Sequence, residues 1–162
     1  MVHHPIEPVY DSHSRILILG SFPSVRSREE MFFYGHPQNR FWKVVSAVCG
    51  AEEPKTLEQK RAFLLANHIA LWDVIASCEI TGSSDSSIKN VVPNDLTRIL
   101  NCANIDRVFV NGKTGERYYI KYARNAAGMD AICLPSTSPA NASWSLEKLI
   151  EAWSILKNGV PF

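Results

Sequence analysis

The sequence predicts an α/β protein: three layers, α/β/α, built on a four-stranded, mainly parallel sheet. Three observations carry this reading. Four short runs are apolar throughout, rather than alternating, as in strands covered on both faces. Each run stops at a turn-forming or polar residue. Segments with helical periodicity separate the runs, the order expected of strand–helix–strand units.

The four runs are RILILG (15–20), IALWDV (69–74), DRVFVNG (106–112) and DAICLP (130–135). After the first comes NRFWKVVSAVCG, with Phe41, Val45 and Val48 on one stripe and Gly50 as a C-terminal stop. TLEQKRAFLLANH opens with Thr56 and Gln59 at the spacing of a capping box. PNDLTRILNCA reads as a helix, with Pro93 and Asn94 ahead of Leu96, Ile99 and Leu100. TGERYYIKYARNAAG predicts a helix from Thr114 to Gly128. SLEKLIEAWSILK, opened by Ser143 or Ser145, carries Leu146, Leu149, Ile150 and Trp153 at helical spacing. TGSSDSSIKN (81–90) reads as loop.

The 162 residues suit one domain, 1–162, and 46% hydrophobic with 20% charged residues is globular composition, not disorder. Seventeen basic against sixteen acidic side chains leave a net charge of +1, which excludes a bulk electrostatic nucleic-acid binder but not a small, local footprint. No apolar run approaches the ~20 residues of a membrane span. The start, MVHHPIEPVYDSHSR, lacks the basic-then-apolar pattern of a secretory leader. A cytoplasmic monomer without membrane contact is expected. Cys49, Cys78, Cys102 and Cys133 have no metal-type pairing, so reduced thiols are expected and no metal is implied.

Ligands of open parallel sheets sit beyond the carboxyl ends of the strands, so the turns after the runs carry the chemistry. They read GSFPSVRS, DVIASCEITGSSDSS, NGKTGER and LPSTSPAN. None is a phosphate loop or a G-x-G-x-x-G dinucleotide turn, and no organic cofactor is implied. A further stretch, FFYGHPQNRFW (32–42), crowds five aromatic rings around a polar turn.

ILGSFPSVRS, FYGHPQNRFWKVV and LPSTSPANAS, in this order, resemble the uracil-DNA glycosylase superfamily from about Arg15 to the last helix. HPQNRFWKVV resembles the mismatch-specific uracil/thymine branch. GSFPS and LPSTSPAN resemble the hypoxanthine (deoxyinosine) branch. The resemblance implies DNA with a damaged base as partner, and a monofunctional glycosylase of base excision repair that flips the base out and hydrolyses its glycosidic bond. Hypoxanthine is the first expectation. The alternatives are a uracil/thymine mismatch glycosylase and a catalytically silent DNA-binding domain.

Such an enzyme holds a flipped base against an aromatic wall, where stacking contributes roughly 1–3 kcal/mol per base. Tyr34 is the first choice for the wall, then Phe33; the other reading of Phe32 and Phe33 is core. Ser21, Ser24 and Ser27, with Ser136, Thr137 and Ser138, offer hydroxyls and amides to the DNA backbone, or serve as turn and cap residues.

Most of the superfamily places the attacking water with a polar residue in the first turn, where this chain has Phe22. The resemblance to the hypoxanthine branch implies Asn39 as the catalytic substitute; the other reading of Asn39 is a helix cap. His36 is either a structural His-Pro or a participant. Asp73 stands where relatives read the base, and either accepts the N1–H of hypoxanthine or caps a turn. Phe22 is placed around the base as well. Leu134 and Ser138 stand where uracil-specific members have an anion-stabilising His and an intercalating Leu, which leaves Pro139 as a partial wedge. Arg117, Lys121 and Arg124 share a helix face, either a phosphate stripe or a solvated surface.

Overall fold

A computed structural model describes residues 1–157; positions 158–162 of the expected 1–162 domain lie outside the described residues. The elements are β1 (Val2–His3), β2 (Ile16–Gly20), α1 (Val25–Glu30), α2 (Phe41–Val48), α3 (Leu57–Ala66), β3 (Ile69–Asp73), β4 (Ile75–Glu79), β5 (Lys89–Pro93), α4 (Thr97–Leu100), β6 (Arg107–Asn111), α5 (Lys113–Tyr122), α6 (Arg124–Ala127), β7 (Ala131–Leu134) and α7 (Leu146–Trp153). Short 3-10 turns occupy Asp85–Ser87 and Ser154–Leu156.

The main sheet has four strands in the order β3-β2-β6-β7, all parallel. Helices flank it on both faces, giving the three-layer α/β/α arrangement. The four apolar runs are these four strands. β2 is the spine, paired on both sides with Ile18 opposite Leu71 and Phe109, and every one of its residues is buried. This is why its hydrophobicity is continuous. The chain leaves β2 toward β3 on one side and later returns to β6 on the other. The sheet therefore has a topological switch point at the ends of β2 and β6, where a crevice opens.

Helix ends follow their sequence signals. Thr56 Oγ1 accepts the Gln59 N–H at 3.1 Å while Gln59 Oε1 accepts the Thr56 N–H at 3.2 Å, so the capping box is complete. Ser145, not Ser143, caps α7, accepting the Lys148 N–H at 3.2 Å. α2 packs on α7 through Phe41, whose ring lies edge-on to Trp153 with centroids 5.9 Å apart.

Three expectations are corrected. Residues 75–93, read mostly as turn and loop, form β4 and β5, which join β1 in a second, antiparallel sheet in the order β1-β4-β5. The signal is weak because β4 is rich in Ser and Cys, β5 is largely exposed and its register with β4 is irregular, and β1 pairs across the chain, Val2 with Cys78. The helix expected from Thr114 to Gly128 breaks at Ala123, which is buried and has φ −121°, so α5 and α6 are separate. The helix after Pro93 is a single turn. Pro93 ends β5, and Asn94 Nδ2 donates to the carbonyls of Asp73 (2.9 Å) and Ile75 (3.2 Å), pinning the chain where it passes from one sheet to the other.

Candidate active site

A cleft of about 470 Å³ opens at the switch point. Its wall is built from the turn after β2, the loop 33–39, the end of β3, the loop 83–86, Asn111 at the end of β6, and the turn after β7. Ser21, Phe22, Ser24, Phe33, Tyr34, Asn39, Asp73, Ser136 and Ser138 all line it. A larger and more open hollow, about 710 Å³, lies at the opposite ends of the strands beside Arg15 and Asp106. None of the strand-end turns reaches it, and its main polar feature is the exposed Arg15–Asp106 ion pair at 2.5 Å.

The loop 32–42 answers for its five rings in two ways. Phe32 is core, stacked near-parallel on Trp42 with centroids 6.1 Å apart, and does not line the cleft; Phe33 borders the cleft but is core too, only 2% exposed, so the expectation that it forms part of the stacking wall is corrected. Trp42 Nε1 donates to the Phe33 carbonyl at 3.2 Å, fixing the loop. Tyr34 stacks face to face on Phe41, 4.0 Å between centroids, so one side of its ring is already covered. Tyr34 has φ 54°, an unusual backbone for a non-glycine residue. Its buried hydroxyl makes no well-formed hydrogen bond among the described residues. Burial, and then the charge of Asp73, push the phenol far above the ordinary tyrosine range, against a lowering by the nearby Asn111 side chain, so it is a neutral donor.

Asn39 stands one residue before Arg40, the N-cap of α2, which makes no side-chain cap bond, and from there it takes over a cap's work. Its Oδ1 accepts the Phe41 N–H at 2.9 Å at the start of α2 and the Thr137 hydroxyl, also at 2.9 Å. Both lone pairs of that oxygen are used. The amide nitrogen donates to nothing among the described residues, and Asn39 lines the cleft. The side chain thus caps a helix and offers a donor to the cleft at once. His36 Nδ1 accepts the Gln38 N–H at 3.1 Å, which leaves the ring proton of neutral His36 on Nε2.

Asp73 ends β3 with its side chain buried. His4 Nε2 lies 2.7 Å from Asp73 Oδ2, and His4 Nδ1 accepts the Ile6 N–H at 3.2 Å. An Nδ1 that accepts puts the ring proton on Nε2, so neutral His4 donates to Asp73. Phe22, Phe33 and Trp72 surround the His4 ring, with centroids 5.9, 6.1 and 6.5 Å away. The phenylalanine of the first turn therefore shields this pair. Asp73 Oδ1 faces Gly20: a Cβ there would lie 2.4 Å from that oxygen and 3.1 Å from the Tyr34 hydroxyl. Glycine at this strand end leaves one carboxylate oxygen and the phenol side by side at the cleft floor.

The turn after β7 is held from three sides. Asn111 donates from Nδ2 to Thr137 Oγ1 (2.9 Å) and accepts the Thr137 N–H on Oδ1 (3.1 Å). Arg40 donates to the carbonyls of Asn141 (3.1 Å), Ser138 (3.4 Å) and Trp144. Ser136 Oγ accepts the Ser138 N–H, and Ser138 Oγ accepts the Ala140 N–H. The serines thus shape the loop while both residues line the cleft. Ser24 Oγ caps α1 through the Ser27 N–H at 3.1 Å. Arg117, Lys121 and Arg124 do not line the cleft; Arg117 and Lys121 lie over Tyr118 and Tyr122.

Sequence reasoning missed His4, Asn111 and Asp85. Asn111 carried a signal, a polar residue closing a buried strand beside Gly112. His4 carried none, because its contact spans 69 residues of chain. Asp85 sits in the serine-rich loop, and its Oδ1 accepts the Ser21 hydroxyl at 3.2 Å.

Comparison with known proteins agrees with this geometry. Residues 7–157 match the family model of the Uracil DNA glycosylase superfamily. The chain is 34% identical over 149 residues to a hypoxanthine DNA glycosylase of Methanosarcina barkeri, covering 91% of this chain and 92% of that one. It is 30% identical over 160 residues to a hypoxanthine DNA glycosylase of Methanosarcina acetivorans, covering 98% and 100%. It superimposes with a TM-score of 0.80, at 29% identity over 98% of this chain and 100% of the other, on the solution NMR structure of a Methanosarcina acetivorans protein described as a candidate uracil DNA glycosylase. With a doubly flanked parallel sheet, a strand-end cleft and a family match across almost its whole length, this chain belongs to the uracil DNA glycosylase superfamily.

Proposed function

We propose that this DNA glycosylase is monofunctional and that its preferred substrate is deoxyinosine in DNA, released as hypoxanthine. The observation that carries the reading of a deaminated base is the His4–Asp73 pair beneath the cleft floor. With Oδ2 held by His4, Asp73 offers Oδ1 as a pure acceptor beside the phenolic donor of Tyr34. An acceptor–donor pair matches the N–H and adjacent oxygen of a lactam base, N1–H and O6 in hypoxanthine or N3–H and O4 in uracil. It opposes adenine, which presents an acceptor at N1 and an amino donor beside it. A buried polar site left unmatched in this way discriminates strongly. Between the two lactam bases, the names of the two Methanosarcina relatives favour hypoxanthine.

In this reading the flipped nucleotide enters over Tyr34, with Phe33 buried behind the pocket wall. The hydroxyls and amides of Ser21, Ser24, Ser136 and Ser138 hold the flanking phosphates. Asn39 directs its amide N–H groups at the attacking water. The described cleft wall contains no lysine, so a Schiff-base lyase step has no nucleophile there. Single-turnover base release from duplexes carrying one inosine, one uracil or one mismatched thymine tests the proposal. Inosine is expected to react fastest. Efficient uracil release with inosine left intact would replace the hypoxanthine reading with the uracil one.

A further inference from the structure

Hydrolysis of a glycosidic bond needs a group that takes a proton from the incoming water and an anion near the oxocarbenium-like sugar. The cleft wall holds four titratable side chains: Tyr34, His36, Asp73 and Asp85. Three are unsuited. Tyr34 stays a neutral donor. His36 presents its Nε2–H, because Nδ1 already accepts the Gln38 N–H. Asp73 is buried under Gly20 and tied to His4. Asn39 cannot serve either, since its oxygen is filled by Phe41 and Thr137 and only its N–H donors remain.

Asp85 is different in each respect. Its 3-10 turn, Asp85–Ser87, is held in place: Thr81 N–H donates to Ser87 Oγ at 2.8 Å, and Ser87 Oγ donates to the Ser84 carbonyl at 2.6 Å. Ser83 Oγ, two residues before Asp85, accepts the Val25 N–H at 2.9 Å, fastening the loop to the start of α1. The carboxylate reaches back to the first turn and is aimed by the Ser21 hydroxyl, next to Phe22. The residue is exposed and lines the cleft, where a substrate can meet it.

We infer that Asp85 is the proton acceptor of the reaction, a catalytic carboxylate brought to the first turn by the loop 81–88 rather than by the turn itself. The inference rests on the glycosylase reading above. As the water oxygen bonds to C1′, one of its protons passes to Asp85. The C1′–N bond breaks and its electron pair leaves with the base. The base anion then gains a proton through solvent while Asp85 loses its own, so one water is consumed and nothing else. Asn39 orients the water by donation, and Asp85 accepts from it.

Although the residue as a whole is exposed, desolvation of its carboxyl by surrounding protein holds it above the usual carboxylate range. Ser21 and Thr114 lower it by hydrogen bonding, Asp73 on β3 raises it, and Arg117 on α5 lowers it. Tyr34 and Cys78 on β4 feel its charge in turn. A raised carboxyl moves a base toward neutral pH, where it transfers protons well.

The test uses the full chain and the best substrate of the three duplexes. Asp85→Asn keeps the shape and the Ser21 contact. At saturating enzyme it is expected to lose roughly 10²–10⁴-fold in single-turnover rate, the range for a general base. Binding to DNA with a stable abasic analogue is expected to stay within about twofold. The wild-type rate should fall on the acid side of a carboxylate set above the ordinary range, and this limb should vanish in Asp85→Asn. A variant that matches the wild-type rate and pH profile overturns the inference and leaves the glycosylase reading standing. A variant that only weakens binding, with its saturated rate intact, also overturns it, since Asp85 then contacts substrate without taking the proton. A wild-type protein that releases no base from any duplex overturns the glycosylase reading itself.

Discussion

Asn39 shows how one side chain serves two ends. Its oxygen caps α2 and holds Thr137, while its amide nitrogen is left to the cleft. Loss of an N-cap costs about 1 kcal/mol, so Asn39→Ala confounds stability with chemistry. Asn39→Asp separates them. An aspartate keeps the acceptor for Phe41 and Thr137 and suits a helix N-terminus, but it has no N–H to offer. Its melting temperature is expected to match the wild type, while its single-turnover rate falls roughly 10²-fold, the scale of one preorganised donor. If Asn39→Asp reacts at the wild-type rate, the amide is a cap alone. Thr137 explains why sequence could not settle the matter: it lies 98 residues away from Asn39, and only the fold brings its hydroxyl to that oxygen.

At the scale of elements, the turn after β7 depends on a residue outside it. Arg40 spreads its guanidinium across the carbonyls of Ser138, Asn141 and Trp144. A lysine keeps the charge but not the planar fork, and each lost hydrogen bond weakens the fold by about 1 kcal/mol. Arg40→Lys is expected to speed amide exchange in the segment 138–144 and to weaken binding to abasic DNA several-fold. The saturated single-turnover rate should move less than the affinity does. Faster exchange with unchanged affinity would separate this loop from DNA binding. Regular helix signals were readable because they are local: Thr56 and Gln59 are three residues apart, and their box is formed. The second sheet was not, because β1 finds β4 across most of the chain's first half and β5 carries loop-like residues.

For the whole molecule, the cleft sets function against stability. Asp85 is held above the ordinary carboxylate range in the folded chain, chiefly by desolvation. A raised carboxyl pKa means that the folded state binds more protons than the unfolded one between the two values. Its stabilising contribution is therefore present below the unfolded value, about 3.9, and is lost as pH rises through the folded value. Asp85→Asn, which cannot ionise, is expected to melt above the wild type at neutral pH. The difference should close as pH falls below the unfolded value. A variant that melts lower at neutral pH would make Asp85 a structural residue, held by Ser21 and Thr114 for the sake of the loop.

The sequence by itself determined the sheet, its four strands, the capped helices and the turns that meet at the strand ends. These depend on periodicity, on neighbouring caps and on continuous apolar runs, all of which act over a few residues. It also brought Tyr34, Asn39, Asp73 and Ser136 into view through motifs that each lie in one short segment. Tertiary structure alone decided which atoms of those residues are free. His4 turns one oxygen of Asp73 away from the cleft, Thr137 and Phe41 occupy the oxygen of Asn39, and a serine-rich loop delivers Asp85 to Ser21. Such contacts join residues 64 to 98 positions apart in three of these four cases, and a hydrogen bond formed over that distance leaves no periodic trace in the chain.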